Sequence, residues 1–214
     1  YACEECLDDE GREAVARARA SKVEIQPVTR AVYDKIRYGE RDDGLCATLA
    51  WQPATLDELR LGDPAFVLVV EGVEKPGNLG AILRTADGAG VDAVVLADPA
   101  CEPANPNVIR ASMGTLFSQA VAVATTTEVI DWCSARGLDV VVTRPQADTT
   151  QVDVDLARPV AIVLGAEHAG LTVAWDAAAT HPVRIPMAGV SDSLNLAAAT
   201  AVLCYEAVRQ RTRP

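Results

Sequence analysis

The stretch Phe66-Val-Leu-Val-Val70 is apolar at every position, as expected of a strand covered on both faces. A turn leads from it into Asn78-Leu-Gly-Ala-Ile-Leu-Arg84-Thr-Ala86, whose apolar spacing predicts a helix over 79–89 closed by Gly90. The alternation continues outward. It predicts a strand over Ala93–Ala97, a helix over Asn107–Phe117, a strand over Ala120–Ala124 and a helix over Glu128–Arg136 stopped at Gly137. Strands over Asp139–Thr143, Val160–Leu164 and Val183–Pro186 follow. A long helix over Leu194–Arg211 ends the chain, with Leu196, Ala199, Leu203 and Ala207 on one face. Strands alternating with helices imply an α/β fold, a mostly parallel sheet with helices on both faces. In such a sheet a ligand belongs beyond the C-terminal strand ends.

Ahead of this region the pattern is less regular. A helix over 8–21, a strand over Lys22–Val28, a helix from the Thr29 cap to Tyr38 and a strand over Leu45–Trp51 predict a small α/β domain over 1–52. Two prolines around an acidic stretch predict a linker over 53–64, and the larger domain occupies 65–214. No internal repeat or low-complexity tract interrupts the 214 residues.

Composition narrows the classes. Half the residues are hydrophobic but only 4% are aromatic, which predicts an aliphatic core. No run reaches the roughly 18 apolar residues of a membrane span. The opening Tyr1-Ala-Cys-Glu-Glu-Cys lacks the basic start and apolar stretch of a signal peptide, and a first residue other than Met is expected of a processed form or a fragment. Of six cysteines only Cys3 and Cys6 form a CxxC, without the second pair a structural zinc site wants. The expectation is reduced thiols, no metal and a cytoplasmic location, with a redox pair or a site completed by another chain as the other reading. Neither GxGxxG nor GxxxxGK[ST] occurs, which argues against dinucleotide and P-loop sites.

The net charge of −11 runs against a nucleic-acid partner, whose affinity comes mainly from Lys and Arg on phosphates. The charge is uneven. Residues 11–41 carry Arg12, Arg17, Arg19, Lys22, Arg30, Lys35, Arg37 and Arg41 against Glu13, Glu24, Asp34 and Glu40. Near the end, Arg209, Arg211 and Arg213 face only Glu206. These basic segments are read either as a local RNA surface or as solvated helix faces.

Three segments carry the polar residues that matter. Each begins at a predicted strand end and runs into a turn rich in Gly or Asn. They are Asn78 to Ala86, Leu164-Gly-Ala-Glu167-His-Ala-Gly170-Leu171, and Ile185-Pro-Met187-Ala-Gly189-Val-Ser-Asp-Ser193-Leu-Asn195-Leu-Ala. Small residues beside a few polar side chains suggest backbone lying close to a ligand. Asn78 is placed to cap the helix it begins, and Ser193 and Asn195 open the last helix, where free N–H groups gather. Arg84 carries a guanidinium that matches a phosphate bidentately. His168 and His181 read as exposed loop histidines before catalytic bases.

These segments resemble motifs 1, 2 and 3 of the SpoU (TrmH) family of RNA ribose 2′-O-methyltransferases, within the SPOUT superfamily. The match runs from about residue 65 to 214, and all three motifs occur in order. Two departures concern the subgroup: Gly165-Ala-Glu167 stands where an Asn often precedes the Glu, and Leu-Ala-Ala follows Asn195 where Val-Ser is common. The resemblance implies a C-terminal trefoil-knotted domain, S-adenosylmethionine as cofactor, a homodimer with the pocket at the subunit interface, and RNA as substrate, rRNA before tRNA. It implies that residues 1–52 are similar to the later part of a ribosomal-protein-like RNA-binding domain.

The catalytic set implied is Asn78, Arg84, Glu167, Ser193 and Asn195, with Glu167 supporting the first motif and orienting Arg84. Because Arg stays protonated, phosphate positioning and hydroxyl polarisation suit Arg84 better than proton abstraction. The cofactor would be held mainly by backbone around Thr143, Leu164, Gly165, Ile185, Met187, Ser193 and Leu194, an apolar cleft with a few polar groups. A non-catalytic RNA-binding or assembly protein keeping this fold is the alternative, and an unrelated nucleotide-binding α/β enzyme a third reading.

Overall fold

A computed structural model describes residues 1–40 and 42–212, so Arg41 and Arg213 of the basic segments lie outside the described residues. The chain forms two compact units, Tyr1–Trp51 and Gln52–Pro214.

In the first unit α1 covers Asp9–Ala20, with Asp8 accepting from the Gly11 N–H at 2.7 Å, and α2 covers Arg30–Ile36. The expected strands over 22–28 and 45–51 are corrected to isolated bridges, Ala2 with Pro27 and Ala2 with Leu45. Pro27 has no N–H to give a ladder, and each segment packs only one apolar residue, Ile25 or Leu45, against Ala2, Leu7 and Val15, while Val23 and Leu49 stay exposed. The basic side chains expected here as an RNA surface are largely engaged on the surface. Arg12, Arg17, Arg19, Arg30 and Arg37 each pair with a neighbouring carboxylate.

The second unit is built on a six-stranded, all-parallel sheet of order β3-β2-β1-β5-β4-β6. The strands are β1 Phe66–Glu71, β2 Ala93–Ala97, β3 Val121–Ala124, β4 Asp139–Thr143, β5 Val160–Leu164 and β6 His181–Val183. β1, β2 and β5 are buried at every residue, which explains the unbroken apolar runs Phe66–Val70, Ala93–Ala97 and Val160–Leu164. The last strand begins earlier than expected. β6 pairs with β4 at the sheet edge, where Pro182 is tolerated.

The helices are α3 Pro76–Gly88, α4 Pro106–Ser112, α5 Thr126–Ala135, α6 Ala174–Ala178 and α7 Leu196–Arg211. α3 starts before its expected first residue, at Pro76, whose fixed φ suits a first helical position. The helix expected to reach Phe117 stops at Ser112 because Met113 and Gly114 adopt positive φ, and a 3₁₀ turn over Thr115–Phe117 follows. α6 is too short to leave a periodic signal. Residues 53–64, expected as a linker, lie against β3: the Ala54 N–H donates to the Val121 carbonyl at 2.8 Å and Leu59 is buried.

One face of the sheet packs Val67, Val69, Val95, Val140 and Val163 against Trp132 and Val129 of α5 and Trp175 of α6. The other face carries α3 and α7, and Leu196, Leu203 and Ala207 of α7 are buried. Arg211 ties the end of α7 to the base of the sheet. Its guanidinium donates to the carbonyls of Pro64, Ala65, Leu156 and Arg158 at 2.7 to 2.9 Å and lies over the Phe66 ring.

Candidate active site

Strands β4, β5 and β6 all point their C-terminal ends at one cavity of about 430 Å³, a size suited to a small-molecule ligand. Thr143, Leu164 and Val183 are the last residues of those strands, and each lines it. So do Gly165, Ile185, Met187, Ser193 and Leu194. The seven positions expected to hold a cofactor therefore share one space, although they come from three separate segments of chain.

The walls are loops, held to one another by specific bonds. The Arg144 guanidinium reaches the carbonyls of Leu171 at 2.6 Å and Thr172 at 2.9 Å, and pairs with Asp176 at 2.5 Å. The Arg184 N–H donates to the Thr149 carbonyl at 2.9 Å. Glu71, buried at the end of β1, accepts from the Thr172 N–H and hydroxyl at 2.8 Å each and from the Thr126 hydroxyl at 2.7 Å. Gly165 has no room for a side chain: a Cβ there would stand 2.2 Å from the Gly170 carbonyl carbon. The loop can turn back on β5 only because that position is glycine.

At the rim, one residue from each of the three segments joins a single network. The Asn78 amide donates to the Glu167 carboxylate. The Asn195 amide donates to both the Asn78 side-chain oxygen Oδ1 and the Glu167 carboxylate, at 3.2 Å each. The other end of Asn195 caps α7, accepting from the N–H groups of Ala197 and Ala198 at 3.0 and 3.4 Å. Helix capping thus fixes which way that amide points.

Lys75 completes the network by an ion pair with Glu167, a contact the sequence reading missed. Its signal was the position just before Pro76, which makes it the N-cap residue of α3 and places it one turn from Asn78. The Lys75 ammonium, with the Asn78 amide adding to it, holds the Glu167 carboxyl below its ordinary value. A carboxylate so held is an anchor for donors and a poor proton acceptor.

Other sequence expectations are corrected. Asn78 does not cap α3; it sits inside the first turn and spends its side chain on Glu167. Glu167 is partnered by Lys75, Asn78 and Asn195, not Arg84. Arg84 is exposed on α3, six residues beyond Asn78, which is about 9 Å along a helix axis. It makes no hydrogen bond or ion pair among the described residues, and it does not line the cavity. Ser193 lies before the α7 cap, with its hydroxyl on Asp192 at 3.0 Å. His168 is exposed on the cavity wall, whereas His181 begins β6 and is half-buried. No cluster of His, Cys, Asp or Glu suited to a metal ion occurs among the described residues, and none of their helices is long and apolar enough to cross a membrane.

Comparison with known proteins places this geometry. The sequence model of the SpoU rRNA Methylase family matches residues 65–205. The 23S rRNA (uridine(2479)-2′-O)-methyltransferase of Streptomyces viridochromogenes is 33% identical over 205 residues, covering 92% of this chain and 71% of that protein. The 23S rRNA (guanosine-2′-O-)-methyltransferase RlmB of Pectobacterium atrosepticum is 34% identical over 206 residues, covering 92% of this chain and 83% of the other. Among solved structures, the AdoMet-bound rRNA methyltransferase of Sinorhizobium meliloti superposes with a TM-score of 0.86 at 30% identity, over 95% of this chain and 78% of that one.

Proposed function

This chain belongs to the SpoU rRNA methylase family, and from that premise we propose that it methylates a ribose 2′-hydroxyl of RNA, ribosomal RNA before tRNA, using S-adenosylmethionine. The observation that carries the reading is the meeting of Asn78, Glu167 and Asn195 at the rim of a cavity formed by three strand ends.

The cavity suits the cofactor's mixed character. Leu164, Ile185, Met187 and Leu194 offer apolar surface, while the turns at Gly165 and Ser193 offer backbone donors and acceptors. S-adenosylmethionine supplies the methyl group as a sulfonium electrophile. Lys75 holds the Glu167 carboxylate by an ion pair, and Glu167 in turn fixes the amides of Asn78 and Asn195. Two oriented amides at the rim can hold the ribose in line with the methyl donor, and such positioning is worth roughly 7–11 kcal/mol in favourable cases. Arg84 grips a flanking phosphate and polarises the hydroxyl.

Arg84 does not line the cavity of its own chain, which favours a homodimer in which each Arg84 serves the cavity of the partner subunit. Val202 and Tyr205 on the outer side of α7, together with Val190 beside the third segment, are exposed apolar residues available for that contact. We read residues 65–214 as the methyltransferase domain and 1–52 as the RNA-binding one. We read segments 144–159, 165–172 and 184–195 as the loops of a trefoil knot, supported by the bonds Arg144 to Leu171 and Arg184 to Thr149. The thiols and the family's substrate favour a cytoplasmic location.

The test is transfer of labelled methyl groups from S-adenosylmethionine to ribosomal RNA, followed by alkaline digestion. Ribose methylation blocks cleavage at the modified nucleotide, so label should appear in alkali-resistant dinucleotides. Label released as mononucleotides would mean base methylation. Saturable cofactor binding without any transfer would favour the non-catalytic RNA-binding reading.

A further inference from the structure

The first unit holds a pair of thiols arranged for chemistry unrelated to methyl transfer. The Cys6 N–H donates to the Cys3 carbonyl at 2.9 Å, closing a tight turn that brings the two sulfurs to 3.0 Å. A turn of that kind keeps the Cα atoms within about 7 Å, at the span a disulfide bridges. The two thiols are not equivalent. Cys3 is buried, whereas Cys6 is half-exposed and takes a contact from the Arg30 guanidinium at 3.6 Å. Arg30 is itself held in place by Asp34 and Asp42, each at 3.0 Å.

We propose that Cys3 and Cys6 form a reversible dithiol–disulfide site that reacts with small-molecule disulfides of the glutathione type, Cys6 attacking and Cys3 resolving. The Cys6 thiolate, the more exposed of the two sulfurs and beside the Arg30 guanidinium, attacks one sulfur of the small disulfide. Its S–S bond breaks, one thiolate leaves, and a mixed disulfide remains on Cys6. Cys3 then loses its proton and attacks the Cys6 sulfur, expelling the second thiolate. The protein gives up two electrons and two protons, and the small disulfide is reduced to two thiols. The roles follow from the surroundings. The hydrogen bond with Cys6 comes first in pushing the Cys3 thiol up to about 11, with burial adding, so Cys3 keeps its proton until the mixed disulfide lies against it. Glu5, whose carboxylate accepts from the Arg30 N–H at 3.0 Å and lies 3.9 Å from the Cys3 sulfur, further disfavours a thiolate at Cys3.

The test is peptide mapping of the whole chain after incubation with oxidised glutathione and trapping of remaining thiols. The wild-type chain should lose two hydrogens from the peptide spanning Cys3 and Cys6 and regain them in reduced glutathione. Cys3→Ser should accumulate a glutathione adduct at Cys6, and Cys6→Ser should react at Cys3 at least about tenfold more slowly than wild type does at Cys6. Circular dichroism of each variant establishes that it is folded. Free thiols at both positions of the oxidant-treated wild-type chain, disulfides between chains, or equal reactivity of Cys3 and Cys6 in the two variants would each overturn the assignment.

Discussion

The Asn195 amide donates to the Asn78 side-chain oxygen Oδ1 at 3.2 Å, across 117 residues of chain. This bond and the cap on α7 use opposite ends of one side chain, so a short side chain can keep the cap and lose the bridge. Asn195→Ser retains a capping oxygen and should change stability by less than about 0.5 kcal/mol. Asn195→Ala removes the cap as well and should cost about 1 kcal/mol. Both should reduce methyl transfer at least about tenfold, about 1.4 kcal/mol in transition-state terms. Urea unfolding and single-turnover methylation separate the two effects. Full activity of Asn195→Ser would remove the bridge from the mechanism.

Glu167 fixes the acid side of the pH response. Its carboxyl is held below the ordinary value of 4.5, first by Lys75. Glu58 and Glu128 are held down by the N–H groups of Thr55 and Thr125 at their helix starts. A carboxyl whose folded value is depressed adds stability above the unfolded value and loses it as pH falls through the folded one. Stability should therefore be insensitive to these groups near neutrality and decline on acidification below 4.5. Lys75→Met removes the largest cause, so the Glu167 carboxyl should titrate higher in a carbon-detected NMR experiment. An unmoved titration would show that Lys75 does not hold Glu167 in solution.

Arg84 offers the cleanest separation of activity from folding. It is exposed and bonded to nothing among the described residues, so Arg84→Ala should alter stability by less than about 0.5 kcal/mol. Cofactor affinity should stay as in wild type, because Arg84 does not line the cavity of its own chain. Methylation should fall below detection. Mixing Arg84→Ala chains with chains whose own cavity is blocked should restore part of the activity if the residue acts across a dimer. Calorimetry and methyl incorporation on the same preparations decide it.

Two glycines should respond differently to the same substitution. At Gly165 an added Cβ meets the backbone of Gly170 and Leu171, which walls the cavity. At Gly80 it would stand 2.4 Å from the Ala111 Cβ, between α3 and α4 and away from the cavity lining. Each change should destabilise by about 1–3 kcal/mol through overpacking. Only Gly165→Ala should also abolish S-adenosylmethionine binding, measured by calorimetry below the melting temperature. Retained affinity in folded Gly165→Ala would exclude the loop as a cofactor wall.

The sequence by itself determined the frame. β2, β4 and β5 fall on the residues that their apolar runs mark, because a parallel strand buried on both faces must be apolar at successive positions. The three segments and their turns at strand ends were legible locally, and the family resemblance they carry pointed to Asn78, Glu167 and Asn195 and to the seven positions that line the cavity. What only the tertiary structure decided is which side chains meet. β5 lies between β1 and β4, and that order brings the three segments to one rim. A residue's own neighbours in sequence do not carry that information. Glu167 therefore takes Lys75 in place of Arg84, and Asn78 gives up the capping role its local sequence suggested. In the first unit the segments around Pro27 and Leu45 meet only Ala2 through isolated bridges and pack one residue each, Ile25 and Leu45, on a small core, so local strand propensity had no ladder to join.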